Sequence, residues 1–483
     1  MSKTLKEKTA YGIFWNFFDK FGQQGLNLIV GIILARYFLS PSDYGLVGLI
    51  AVFYALGNIF IDSGFSNALI RKQDVTQTDL SSVFYFNIAI SLLFYFILFF
   101  CAPLIALFYN QPVLTSLIRV MSLGIPLSSL ALVQITLLSK AINFKRLAST
   151  NLIALCCSGV LSLFLAWQGF GVWVLVIQPL SLTLIKNICL WSINIWRPSA
   201  VFSMQCIKNL WAYSSNLLLS AILNVVSNNL YAFLIGKFYP LKEVGYYYQA
   251  NKYSESSYQT IMSAIQTTIY PVMANIGNNA ELLKKAFRKT IRVSSFVYFP
   301  IMLGLIVIAE PLIQTIIGIK WLPIAPYFQV ICVGYLFSGM NSLYFNILYI
   351  KGMSSTHLKL NILYRILLLA GIILTLPIGV LAMAISWSIV TVIFAVSYAS
   401  YASKKIGYTF VEQIKDIAPY FVLALLMSMG VFFLSFFIES RILCLVAQIA
   451  IGVSFYLGSN YLFGSKVFKE VIDIVKSKRL HIN

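Results

Sequence analysis

An all-α integral membrane protein of about fourteen transmembrane helices, two pseudo-symmetric six-helix lobes followed by two extra helices, is the architecture this chain encodes. Three observations lead there. The 483 residues are 59% hydrophobic and only 10% charged, against roughly 25% charged in soluble domains; the mean hydropathy is +0.84. Apolar runs long enough to cross roughly 30 Å of hydrocarbon recur along the whole chain. Two stretches 200 positions apart also repeat one polar stripe: Asn16, Lys20, Gln24 and Asn27 in the first helix, Asn216, Ser220, Asn224 and Ser227 in the seventh. The four-, four- and three-residue steps set each stripe on one helix face. Such a face is costly in hydrocarbon and must look at protein or water. Two related halves with facing polar stripes describe a transporter with a cavity on its pseudo-symmetry axis.

Taken in order, the spanning runs fall near 11–38, 43–66, 80–108, 114–138, 150–168 and 170–194, then 209–237, 241–272, 290–318, 324–350, 357–376 and 378–401, with two more at 417–438 and 441–463. The repeat extends beyond the stripes. ARYFLSPSDYG (Ala35–Gly45) matches IGKFYPLKEVG (Ile235–Gly245), and VMSLG (Val120–Gly124) matches VICVG (Val330–Gly334). Six helices per repeat is even, so both halves enter the membrane in the same direction and their axis runs along its normal. The expected divisions are therefore 1–200 and 201–403 for the lobes, 404–463 for two additional helices and 464–483 for a tail. The tail, KVFKEVIDIVKSKRL from Lys466, sets valines and Ile474 opposite lysines, the pattern of an interfacial amphipathic helix. Prolines at 103, 126, 179, 271, 300 and 419 mark bends that neighbouring helices can satisfy.

Loop charge sets orientation. Of 35 basic residues, 27 fall on the side of the termini, from Lys3, Arg71 and Lys140 through Lys186, Arg288 and Arg365 to Arg479. Five, including Arg36, Lys237 and Arg441, fall on the other, and Lys20, Arg119 and Lys252 lie within helices. That bias puts both termini in the cytoplasm. It also accounts for the net charge of +20 without nucleic acid, because these loops sit on anionic headgroups. The seven cysteines lack CxxC spacing and only two histidines exist, so neither a disulfide framework nor a metal site is expected. The N-terminus reads as a retained first helix and not as a signal peptide. No catalytic motif and no P-loop emerges, so a non-enzyme without cofactors is expected.

Ionisable residues at membrane depth each need a reason. Asp19 and Lys20 either reach the cytoplasmic headgroups or line the cavity with Asn16 and Gln24. Asp62 falls near the cytoplasmic mouth, where it pairs with Lys20 or caps its helix. Lys252 lies about 16 Å into the eighth helix, one turn from Glu255, with which it can pair. Gln249, Asn251, Tyr253 and Gln259 surround that pair, and tyrosines on a hydrated route suit sugars. Arg119 reaches the outer headgroups or forms an outward anion site. The candidate substrate-binding set is thus Asn16, Asp19, Lys20, Gln24, Asp62, Arg119, Asn216, Asn224, Gln249, Lys252 and Glu255, with no metal ligands.

DSGFSNALIRKQDVTQTDLSSVFYFN (Asp62–Asn87), APLIALFYNQPVL (Ala102–Leu114), GFGVWVLVIQPL (Gly169–Leu180) and PLIQTIIGIKWLPIAP (Pro311–Pro326) resemble bacterial polysaccharide flippases. The likeness is to the lipopolysaccharide or colanic-acid exporter type of the multidrug/oligosaccharidyl-lipid/polysaccharide superfamily. It implies alternating access and a lipid-linked oligosaccharide, carried on undecaprenyl pyrophosphate, moved across the bacterial inner membrane. It implies a cationic cavity lined by helices 1, 2, 7 and 8, matched here by Lys20 and Lys252, with Arg119 as a further candidate. Membrane lipids, a polysaccharide polymerase and export machinery are the partners it suggests. Coupling to Na+, H+ or the membrane potential stays open. A multidrug–cation antiporter of the same fold is the alternative, and it would carry a cavity dominated by carboxylates. A membrane polymerase or glycosyltransferase would need a large catalytic loop, and no loop is long enough.

Overall fold

The computed structural model describes residues 5–62, 65–194, 196–276 and 279–470. The chain is an all-helical membrane protein. Its first half runs α1 (Leu5–Ile33), α2 (Pro41–Asp62), α3 (Phe65–Arg71), α4 (Gln77–Phe108), α5 (Val113–Met121), α6 (Gly124–Lys140), α7 (Phe144–Trp167) and α8 (Trp173–Ile193). Then follow α9 (Met204–Phe238), α10 (Leu241–Asn275), α11 (Ala280–Val307), α12 (Ala309–Ile316), α13 (Ile324–Ile350), α14 (Ser354–Thr375), α15 (Val380–Ile406), α16 (Phe410–Leu434) and α17 (Arg441–Leu462).

Among the described residues, 11 helical spans are long and apolar enough to cross a membrane. Helices α1, α9 and α10, at 29, 35 and 35 residues, also have the length. Their polar stripes are what lower their hydropathy. Several expected single helices are broken. The first ends in a π-helical turn, Leu34–Phe38. The run 114–138 is two helices, α5 and α6, meeting at Ser122 and Leu123. The run 290–318 starts earlier, at Ala280, and breaks at Ile308 ahead of Pro311. A proline lacks the N–H that a continuous helix needs, which sets such boundaries.

The helix starts carry their own signals. Thr76 and Asp79 form a reciprocal capping box on α4, as do Thr409 and Glu412 on α16. Each such cap contributes about 1 kcal/mol. Asn143 and Asn279 cap α7 and α11 through their side-chain oxygens.

Two compact units result, Met1–Tyr248 and Gln249–Asn483. In the first, α7 packs on α1 and α8, and α6 on α4 and α8; α9 lies on α2 and α4. The linker before α9 is pinned to α4: Ser81 Oγ lies 3.0 Å from Ser199 Oγ, and the Ser203 N–H donates to Ser82 Oγ at 2.9 Å. These bonds help explain why α9 associates with this unit although the repeat boundary expected from sequence lies near residue 200. In the second, α13 packs on α15 and α11, and α11 on α16. The buried Asp416 ties α16 to α11. It accepts from Arg288 (2.7 and 3.2 Å), from Arg292 (2.8 Å) and from the Tyr408 hydroxyl (2.9 Å). The amphipathic tail expected from Lys466 lies outside the described residues beyond Glu470.

Candidate functional site

The stripe on α1 divides between neighbours in sequence. Lys20 and Asn27 are exposed, and Asn16 and Gln24 half-buried. Lys20 has no ion pair or hydrogen bond among the described residues, and its expected pairing with Asp62 falls outside them. Asp62 ends α2, and its side chain lies outside the described ones. Asp19 faces the other way. It is 9% exposed and accepts from Gln23 Nε2 at 2.8 Å and Asn151 Nδ2 at 2.9 Å. Successive helix positions are 100° apart, so the face that packs on α7 takes Asp19 and leaves Lys20 open. The expectation that Asp19 lines the pathway beside Lys20 is therefore corrected: its carboxylate is committed to protein.

Lys186, expected among the cytoplasmic loop charges, stands inside α8. Its position seven residues before the end of a 21-residue helix was the available signal. Arg365 is likewise inside α14, donating to Asn361 Oδ1 at 2.7 Å.

Helix α10 carries two polar faces with different work. One fastens it to α13: Asn251 Oδ1 accepts from the Tyr335 hydroxyl at 3.2 Å, Cys332 Sγ lies 3.3 Å from Ser254 Oγ, and the Tyr258 and Tyr335 rings stack at 5.1 Å. The other is open, with Lys252, Glu255 and Gln259 all exposed. The expected Lys252–Glu255 pair does not form. Neither residue has an ion pair or hydrogen bond among the described residues. A lysine preceding its acidic partner along the helix is the less favourable order. Gln249 is turned inward at 1% exposure, its amide nitrogen 3.5 Å from the Tyr253 hydroxyl and its oxygen unpartnered. It does not share the open face.

On α9, the side chains of Asn216 and Ser220 lie outside the described ones, Asn224 is exposed and Ser227 half-buried. Arg119 has structural work. Its Nε donates to the Phe99 carbonyl at 3.2 Å and its guanidinium lies 4.3 Å from the Phe99 ring. Pro103 sits four residues past Phe99 inside α4 and offers that carbonyl no N–H. Arg119 supplies the missing donor. A separate apolar groove of about 380 Å³ lies in the second unit between α11, α16 and α17, lined by Phe296, Pro300, Gly304, Met427, Gly452 and Tyr456.

Residues 33–326 match the family described as polysaccharide biosynthesis protein. The chain belongs to the polysaccharide biosynthesis protein family. The succinoglycan biosynthesis transport protein ExoT of Rhizobium meliloti is 29% identical over 322 residues, covering 66% of this chain and 65% of that protein. The lipopolysaccharide biosynthesis protein WzxC of Escherichia coli is 23% identical over 375 residues, covering 77% and 76%. The match thus spans slightly under two thirds of the length of the first relative. In fold, the chain is similar to the lipid II flippase MurJ in an inward closed conformation, with a TM-score of 0.78 at 18% identity over 95% of this chain and 100% of that one. An inward-facing multidrug resistance MATE family transporter of the MOP superfamily gives 0.63 at 16% identity, over 80% and 94%. At those identities the likeness establishes the fold of this polysaccharide biosynthesis protein.

Proposed function

We propose that the chain flips a lipid-linked oligosaccharide, on an undecaprenyl pyrophosphate carrier, across the bacterial cytoplasmic membrane by alternating access. The observation that carries this is Lys252: without an ion pair or hydrogen bond among the described residues, exposed, and 11 residues into a 35-residue helix. A lone ammonium at the bilayer centre costs roughly 2.5–3.5 kcal/mol even on lenient scales. It is tolerable there only in water, awaiting an anion. Lys252 would hold a diphosphate by its ammonium, as Lys20 would in the first unit, while Glu255 and Gln259 beside the one and Gln24 and Asn27 beside the other would offer acceptors and amides to sugar hydroxyls. The polyprenyl chain stays on the lipid side, where the groove beside α17 presents apolar surface.

The names of the relatives, a succinoglycan transport protein and a lipopolysaccharide biosynthesis protein, support a polysaccharide cargo. The lipid II flippase fold supports a lipid-linked one. An antiporter for cationic drugs fits less well, because the open faces of α1 and α10 carry two ammonium groups and one carboxylate among the described residues. Both termini would lie in the cytoplasm, by the charge bias. An inside-negative potential favours outward movement of the anionic headgroup by roughly 2.3 kcal/mol per charge per 100 mV. Na+ or H+ coupling would add to that drive, and the polymerase and export machinery would receive the product. In a deletion strain complemented with Lys252→Ala, surface polysaccharide should fall at least tenfold at unchanged membrane abundance, and Lys252→Arg should restore part of it. Undiminished polysaccharide with alanine would refute the assignment.

A further inference from the structure

The starts of α2 and α10 touch through a reciprocal pair of glycines. A Cβ added to Gly45 would fall well inside van der Waals distance of the Leu241 carbonyl oxygen and 3.4 Å from the Gly245 nitrogen. A Cβ added to Gly245 would collide with the Pro41 carbonyl oxygen and lie 3.2 Å from the Gly45 nitrogen. Pro41 and Leu241 are the first residues of their helices, and they are equivalent in the 200-residue repeat, as are Gly45 and Gly245. Position i of one copy therefore meets j of the other while j meets i. That is the signature of an isologous contact, formed only on a two-fold axis. One turn on, Gly48 repeats the relation with Tyr248, whose Cγ lies 3.1 Å from a Cβ built at 48.

The geometry points to Gly45 and Gly245 as the outer closure of the translocation route, the backbone contact on the pseudo-symmetry axis that must form and separate in each cycle. This rests on the alternating-access reading and orientation proposed above. A route on the axis cannot pass between two helices whose backbones meet there. The open residue Lys252 lies about 10 Å further along α10, on the inner side of the contact. Only glycine permits the approach, because the obstacle is backbone carbonyl and not a side chain that could rotate away. A methyl at either position forces the helix ends apart; a larger group holds them apart.

The test places a single cysteine at Gln259, roughly 21 Å along α10 from Gly245, in the full chain with its seven native cysteines replaced by alanine. Labelling by a membrane-impermeant maleimide from outside intact cells is compared across Gly45→Ala, Gly45→Leu and Gly430→Leu. Gly430, on α16, has nothing within 4 Å of an added Cβ and serves as the control. Gly45→Leu should raise outside labelling at least tenfold, Gly45→Ala by less, and Gly430→Leu not at all. Export, measured in the same variants with residue 259 restored to glutamine, should fall in the same order. Outside labelling at the parental rate in both Gly45 variants would overturn the assignment, as would raised labelling with undiminished export. If the leucine variant fails to reach the membrane, the alanine variant decides, since its methyl already meets backbone. The labelling is independent of cargo, so failure of the flippase reading would leave the labelling shift intact.

Discussion

At the scale of single residues, the informative contrast is between Asp19 and Lys20, adjacent in sequence and opposite in role. Asp19 holds Gln23 and Asn151, whereas Lys20 is left open. Removing the buried carboxylate strands the two amide donors that it accepts from. Asp19→Ala should therefore destabilise the protein by about 1–3 kcal/mol, read as a lower thermal midpoint in detergent. An unchanged midpoint would show that these bonds hold nothing together. Lys20→Ala should leave the midpoint unchanged, because no contact is lost, and should lower export.

At the scale of elements, proline sets a carbonyl loose in α4 and α5 supplies the remedy. Arg119→Ala should cost about 1–2 kcal/mol, the loss of a charged donor to a buried carbonyl. In a Pro103→Ala background the new N–H reaches the Phe99 carbonyl, and the same change should cost about 1 kcal/mol less. Equal costs in both backgrounds, by thermal melts of the four variants, would sink the explanation. In the second unit, Asp416 receives two arginines and a tyrosine. Asp416→Ala leaves Arg292 and Tyr408 without that acceptor and Arg288 held by Glu412 alone, and should loosen α16 from α11 at a cost of about 3 kcal/mol. Protease cleavage in the segment joining α15 to α16 would report it, and cleavage unchanged from the parent would count against it.

At the scale of the whole molecule, orientation follows from charge counted over all loops, and Lys186 and Arg365 no longer belong in that count because they lie inside helices. The remaining bias still has one sign. In the cysteine-free background, single cysteines at Gln111 and Glu439 should react with an impermeant reagent from outside the cell, while those at Gln73 and Ala141 should react only after permeabilisation. The reverse pattern would place both termini outside the cytoplasm.

The sequence by itself determined most of the helices, apart from the breaks at Ser122 and Ile308 and the separate short helix α3, and the polar stripes. In hydrocarbon each helix must satisfy its backbone within its own segment, so composition and period are enough to find it. The isologous closure was also latent there, as the 200-residue match of Ala35–Gly45 with Ile235–Gly245. Only the tertiary structure decided which polar residues are free. Lys252 and Glu255 stand at pairing distance along a helix and yet do not pair; Arg119 is taken by a carbonyl twenty residues away; Asp19 is spoken for by Asn151, 132 positions on. Whether a side chain is open or committed depends on which neighbouring helix lies against it. That packing is long-range, and no local period carries it.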